Sequence, residues 1–154
     1  MIKVIVSRVT VDGLFLEGRE PGSVINIRSE SRFIPVCGLN YKLKAMLVNN
    51  NILVTGSACM SFKCSCDNCL AEFELKIVNE DICHLYERTD AYEIDLTEDI
   101  REDILINLPD RLLCKKNCKG LCFYCGQNLN LKKCSCSKRK NKNTGWEELN
   151  KLQI

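Results

Sequence analysis

Short apolar and β-branched runs, broken by Gly, Asn and Asp, dominate the first half of the chain. Ile2-Lys3-Val4-Ile5-Val6 reads as a short strand. Val9-Thr10-Val11 and Leu14-Phe15-Leu16 flank Asp12-Gly13, a pair suited to the positive-φ positions of a type I′ turn, and so predict a tight hairpin. Val24-Ile25-Asn26-Ile27 alternates in part and is expected to be extended. Tyr41 to Val48, the turn Asn49-Asn50-Asn51, and Ile52-Leu53-Val54-Thr55-Gly56 predict a second hairpin, with Gly56 marking a bulge. Phe73 to Val78 adds a strand with period two over its first five residues.

The pattern then changes period. Ile100, Ile104 and Leu108 recur at four-residue spacing, with Leu105 beside them, and predict a helix over 96–108. Asp95 is its expected N-cap and Glu98 its capping-box partner, and Pro109 ends it. Its acidic positions read as a solvated face over a core, the alternative being a partner-binding face. From Leu113 to Cys136 the chain reads as a loop that buries little carbon, so cross-links must fix it. Residues 138–143 read as a basic linker, and 145–152 as a short helix with Trp146, Leu149 and Leu152 on one face. Trp146 docks back on the domain in this reading, or stacks on a base in the alternative. The chain therefore divides into a β-rich domain with a helix (1–110), a zinc-knuckle segment packed on it (111–137), and the linker with its terminal helix (138–154). The fold class is α+β: a mostly antiparallel β-sheet, one main helix and a cysteine-rich zinc-binding C-terminal segment.

Charge sharpens this division. The net charge of +2 conceals +4 over residues 1–66, −10 over 67–103 and +10 over 111–142, the last block holding no acidic residue. A basic block this dense suggests contact with a polyanion. The alternative is that these side chains offset anionic metal–thiolate clusters or face the acidic block within the fold. The hydrophobic fraction of 45% is enough for a core, and a charged fraction of 27% is ordinary, which excludes a disordered chain. No apolar run approaches a membrane span. The first residues are too short and interrupted a run for a signal peptide, so a cytoplasmic location is expected, with a plastid also open.

Cysteine usage changes the picture most. Ten of the 12 cysteines lie between Cys64 and Cys136. Without a secretory signal, a reducing compartment and metal binding are the better reading than disulfides. Cys66-x2-Cys69 forms one pair, with Cys64 as an extra thiol, and the downstream string is Cys114-x3-Cys118-x3-Cys122-x2-Cys125-x8-Cys134-x-Cys136. Zinc takes four such ligands in a tetrahedron, and C-x2-C turns present two thiolates at the required geometry. Cys122, Cys125, Cys134 and Cys136 are expected to form a local site, with Gly126 allowing a sharp turn. Cys114 and Cys118 then need Cys66 and Cys69, which makes a long-range site stapling the strands to the C-terminal loop. Cys64 in place of Cys66, or one degraded site, are the alternatives. One or two structural Zn²⁺ ions are expected, with four thiolates closing each coordination sphere.

Other chemistries find little support. Cys37, Cys59 and Cys83 are isolated and read as structural or adventitious. His84 is the only histidine, and nothing sets it beside a nucleophile. Cys118-x3-Cys122-x2-Cys125 has the spacing of the iron–sulfur site of radical enzymes, yet those place it early in a much larger barrel. No Gly-rich phosphate loop or dinucleotide fingerprint occurs. A non-enzymatic role is expected.

Several stretches together resemble the YceD family. They are Cys66-Asp67-Asn68-Cys69-Leu70, Ile94 to Leu105 with Leu108-Pro109, the string from Leu113 to Cys136 with Lys119-Gly120-Leu121 and Asn128-Leu129-Asn130, and the closing Trp146-x2-Leu149-x2-Leu152. This is a bacterial and plastid family of large-subunit ribosomal RNA accumulation proteins. The resemblance covers roughly residues 60–152, and the N-terminal strands match in outline. It implies a role in accumulation or processing of large-subunit ribosomal RNA during ribosome assembly. Asn68 stands where the family often has a basic residue, so the upstream knuckle lacks that charge. The expected partner is large-subunit ribosomal RNA or a pre-ribosomal particle. Lys115, Lys116, Lys119, Lys132, Lys133, Lys138, Arg139 and Lys140 would meet phosphates, and Phe123 or Tyr124 would stack on an unpaired base. The alternative is a protein adaptor whose acidic block docks a basic ribosomal protein or processing factor. No membrane partner is expected.

Overall fold

The computed structural model describes residues 1–27, 32–88 and 91–136. Its strands are β1 (Lys3–Ile5), β2 (Leu14–Glu20), β3 (Phe33–Pro35), β4 (Leu39–Val48), β5 (Asn51–Ser65), β6 (Glu72–Glu87) and β7 (Glu93–Asp95), followed by helix α1 (Thr97–Ile106). The long β5 organises the sheet. It pairs with β6 along one edge and with β4 and then β3 along the other, and β2 lies outside β4. All pairs are antiparallel, and β1 and β7 form a separate two-stranded ribbon. The fold is thus mostly antiparallel sheet with one α-helix among the described residues.

Period-two alternation makes the sheet one-sided. Leu43, Ala45, Ile52, Val54, Met60 and Phe62 point inward and are almost fully buried. Ile100 and Ile104 of α1, Ile2 and Val4 of the ribbon, and Ile25 join the same core. Burial of each large side chain contributes about 1.5–3 kcal/mol, and the Phe33 ring meets Phe62 edge-on at 5.9 Å. The ribbon fixes the start of α1: Ile2 donates its backbone N–H to the Thr97 hydroxyl at 2.9 Å, and Leu96 donates to the Ile2 carbonyl at 2.8 Å.

The β4–β5 hairpin turns on Asn49 and Asn50, both with positive φ, as a type I′ turn requires. The bulge lies beside Gly56, but the extra residue belongs to β6: Gly56 faces Ile82 and Ala58 faces Asn79. Asn79 accepts the Asp81 N–H at 3.0 Å and closes the irregular loop. Gly56 itself is needed, because a Cβ there would lie 2.1 Å from the Lys42 carbonyl oxygen.

Two strand expectations fail on tertiary grounds, and the expected helix forms with a different cap. Val9–Val11 is not a strand, and Leu14–Leu16 makes no hairpin with it; β2 pairs with β4 instead, where its inward residues find Leu43 and Ala45. The segment around Val24 coils as a 3₁₀ turn over Gly22–Ile25, which drives Ile25 into the core. Helix α1 starts and stops inside the predicted 96–108, with Leu96 at the cap position. Asp95 still accepts the Thr97 N–H at 2.9 Å and the Thr97 hydroxyl. Glu98 makes no capping box; it pairs with Arg101 at 3.0 Å. The linker and terminal helix expected over 138–154, with Trp146, lie outside the described residues.

Candidate metal centre

β5 and β6 end in the turn Cys66-Asp67-Asn68-Cys69-Leu70, which carries the first thiol pair at the hairpin tip. Cys66 donates its N–H to the Ala71 carbonyl at 2.9 Å, and Leu70 donates to the Cys66 carbonyl at 2.9 Å. Cys122-Phe123-Tyr124-Cys125-Gly126 repeats this pattern: Cys122 donates to Gln127 at 2.8 Å and Gly126 to Cys122 at 2.9 Å. The residue after the second cysteine is left-handed in both, φ +58° at Leu70 and +71° at Gly126. The two turns are one backbone device used twice, aiming both sulfurs at one point.

Each turn is completed by a second pair. Cys66, Cys69, Cys114 and Cys118 form one cluster, and Cys122, Cys125, Cys134 and Cys136 the other, with the sulfurs of each within 4.8 Å of one another. A tetrahedral site with 2.3 Å metal–sulfur bonds has edges of about 3.8 Å. Cys66 and Cys118 sulfurs lie 3.8 Å apart, Cys69 and Cys114 3.6 Å, and the Cys122–Cys134 edge is 3.3 Å. The donor set and spacing fit a structural four-thiolate metal site. Cys64 is not in the cluster: its side chain is buried in the core, and burial raises its pKa. Cys37, Cys59 and Cys83 also lie apart from both clusters.

The thiols are electrostatically unequal. Burial opposes ionisation of Cys66, but N–H groups of Cys114, Cys69 and Asn68 outweigh it and bring the pKa down to about 6. N–H groups of Cys125 and Tyr124 lower Cys122 to about 7. Burial and the neighbouring thiols push Cys114 up to about 12, and Cys125 and burial push Cys136 up to about 11. Each cluster thus pairs a readily ionised thiol with one held protonated until a cation enters.

Three groups that the cysteine pattern does not reveal hold the clusters in register. Asp67 accepts the Leu112 N–H at 2.7 Å and pairs with Arg32 at 3.1 Å, while Arg32 also reaches the Asp110 carbonyl. This latch fixes the segment leading to Cys114, and the Leu112 N–H, followed by Arg32, holds the Asp67 carboxyl below its usual range. Leu121 donates to the Asn68 carbonyl at 3.1 Å, which joins the two knuckles. Gly120, at φ +72°, permits that approach. Asn130 donates to Cys118 Sγ at 3.3 Å and to Asn128 Oδ1 at 2.9 Å, and accepts the Lys119 N–H at 3.0 Å.

Lys115, Lys116, Lys119, Lys132 and Lys133 are all exposed. A groove of about 410 Å³ over the second cluster brings Lys119, Phe123, Tyr124 and Lys133 together against Cys122 and Cys134. Phe123 is 96% exposed, with its ring edge-on to Tyr124 at 5.7 Å. Lys115, Lys116 and Lys132 lie outside the groove lining, and Lys138, Arg139 and Lys140 lie outside the described residues. The acidic block is partly spent within the fold: Asp99 accepts the Tyr86 hydroxyl, and Asp103 meets His84 at 2.7 Å. His84 therefore packs against Asp103 and lies outside both cysteine clusters.

Residues 79–153 match the family model described as large ribosomal RNA subunit accumulation protein YceD. Over these residues the chain is similar to the YceD family. That match takes in α1 and the downstream cysteines but not the turn carrying Cys66 and Cys69. The chain is also 38% identical over 61 residues to large ribosomal RNA subunit accumulation protein YCED homolog 1, chloroplastic, of Arabidopsis thaliana, covering 40% of this chain and 19% of that protein. The protein of the same description from Zea mays is 44% identical over 48 residues, covering 30% and 16%. The chain thus spans less than a fifth of these YceD relatives. No solved structure matches. No helix among the described residues is long and apolar enough to cross a membrane.

Proposed function

We propose that this protein is a non-enzymatic, zinc-stapled factor that supports accumulation of large-subunit ribosomal RNA by binding RNA through its second knuckle. The observation that carries the reading is the groove in which Lys119, Lys133, Phe123 and Tyr124 converge on a four-thiolate cluster. Exposed rings offer stacking to unpaired bases, and flanking ammonium groups meet phosphates. Relatives are named for large ribosomal RNA subunit accumulation, which fits an RNA ligand. Zinc, when bound, supplies cross-links. Four thiolates fill each tetrahedron and leave no position for a reacting water, which supports a structural and non-catalytic role. Both clusters need a compartment that keeps thiols reduced, the cytoplasm or a plastid as named for the relatives. Docking of a basic protein on the acidic block is the weaker reading, since Asp67, Asp95, Asp99 and Asp103 are engaged internally.

The test is titration of a large-subunit ribosomal RNA fragment with the zinc-loaded protein across a salt series. Lys119→Glu with Lys133→Glu removes two phosphate contacts and flattens the slope of log K against log[salt] by about 1.4 for single-stranded RNA. Binding that ignores both salt and these reversals would overturn the reading.

A further inference from the structure

The outer face of the sheet, opposite α1, is laid out as a grid. Across it run Phe15–Lys44–Thr55, then Glu17–Lys42–Ser57, then Arg19–Asn40–Cys59–Val78, and finally Ser61–Lys76. The central strand β5 carries only short side chains here, Thr55, Ser57, Cys59 and Ser61, between long ones on β4 and β6. A trough therefore runs along β5. It appears as two adjoining depressions of about 420 and 360 Å³ that share Glu17 and Lys42.

The charge of the trough is one-sided. Arg19, Lys42, Lys44 and Lys76 border it, with Glu17 as their acidic neighbour. Glu17 is consumed by Lys42 at 2.8 Å. Arg19 and Lys76 make no ion pair among the described residues, although a cross-strand carboxylate would be the usual partner on a solvated sheet. Phe15 stands 75% exposed at one end, with the Lys44 ammonium 5.3 Å from its ring centre. That contact engages Lys44, whereas Arg19 and Lys76 are left without a carboxylate among the described residues. A polyanion with flat apolar faces makes use of both ring and cations.

We propose that this trough is a second RNA-contact surface, taking a single strand with phosphates on Arg19, Lys44 and Lys76 and a base against Phe15. Asn40, Thr55 and Ser57 supply donors and acceptors on the floor. A duplex is too wide for a trough floored by one strand. The surface lies in residues 1–78, outside the family match, and its assignment to RNA rests on the reading above. Ser57 stands on β5 nine residues before Cys66 of the first cluster, roughly 30 Å of strand, and the knuckle groove sits on the separate second cluster. One chain would then hold an RNA at two separated points, and the linked contacts raise affinity beyond either alone.

The test uses full-length zinc-loaded protein and an oligouridylate of about 12 nucleotides. Arg19→Glu with Lys76→Glu is compared with Lys119→Glu with Lys133→Glu, and ultraviolet crosslinks are mapped. The trough pair is expected to flatten the salt slope by about 1.4 and to remove crosslinks at Phe15, with an unchanged urea midpoint showing an intact fold. Arg19→Gln with Lys76→Gln gives a smaller loss in the same direction. If the trough pair leaves slope and crosslinks unchanged while the knuckle pair reduces them, the trough proposal falls and the knuckle reading stands. If the trough pair alone acts, the knuckle reading falls. If the wild-type protein does not bind the oligonucleotide, the trough proposal is overturned and an acidic protein segment becomes the better occupant of this face.

Discussion

Asn130 is the most informative side chain to alter at the first metal cluster. Its amide bridges two things: the Lys119 N–H, which it accepts at 3.0 Å, and Cys118 Sγ, to which it donates at 3.3 Å. The second amide hydrogen goes to Asn128 Oδ1 at 2.9 Å. Burial opposes ionisation of Cys118, yet the Gly120 N–H and the Asn130 amide lower its pKa overall. Asn130→Ala removes the side-chain donor and lets the 118–131 loop loosen. Loss of a group that supports a metal ligand costs typically 10–100-fold in metal affinity, and that is the expected effect on zinc at this cluster. Asn130→Asp separates the causes. It keeps the acceptor for Lys119 but sets a carboxylate against a thiolate and against Asn128 Oδ1, so it should be worse than Ala. A chelator competition on protein loaded with zinc, resolving the two clusters, reads both effects, with the second cluster as internal control. Ala within two-fold of wild type, or Asp tighter than Ala, would refute the argument.

Two further outcomes follow from the geometry. Gly56→Ala drives a methyl into the Lys42 carbonyl and the Leu43 backbone, so β4 must shift; the expected cost is about 2–4 kcal/mol in urea unfolding, and a cost under about 0.5 kcal/mol would refute the close approach. Zinc uptake should release protons, because Cys114 near 12 and Cys136 near 11 are protonated at neutral pH; affinity then falls by at least about tenfold per site for each pH unit lowered below 8, and zinc titration in weakly buffered dye without acidification would contradict it.

Much of this molecule is written locally. The β4–β5 hairpin follows from Asn49-Asn50 between alternating runs, and α1 from the Ile100–Ile104 spacing. Spacing suggested the partition of eight cysteines but left Cys64 as a rival for Cys66, and the structure groups the eight as expected. What was not legible depends on distant partners. Asp12-Gly13 is a sound hairpin signal, but Leu14–Leu16 gains more by pairing with β4 over the core. The 15- and 16-residue lengths of β5 and β6 could not be read from short apolar runs, because polar positions such as Ser57, Ser61, Glu74 and Lys76 belong to an outer face open to solvent. Asp67, Arg32 and Asn130 look like surface polar residues until the fold brings Leu112 and Cys118 to them.

The division of labour between the sheet and the cysteine clusters yields a sharper consequence. Within residues 111–136 only Leu112, Gly120 and Cys122 are buried, so this segment has almost no carbon core of its own. Its attachments to the body are the first cluster, Leu112 in the apolar core, the Asp67 latch, and single hydrogen bonds from Arg111 and Leu121 to Asn68, while the second cluster closes within the segment. The sheet and α1 share a continuous apolar core that contains no cluster ligand. Chelation of both metals should therefore free 111–136 while the β-body persists. Under trypsin, the chelated protein is expected to be cut first at Lys115, Lys116, Lys119, Lys132 and Lys133, with the sheet residues Lys42 and Lys44 protected and far-ultraviolet circular dichroism nearly unchanged. Simultaneous cutting in β4 and loss of the β signal would show instead that the first cluster clamps β5 and β6 strongly enough to hold the whole fold.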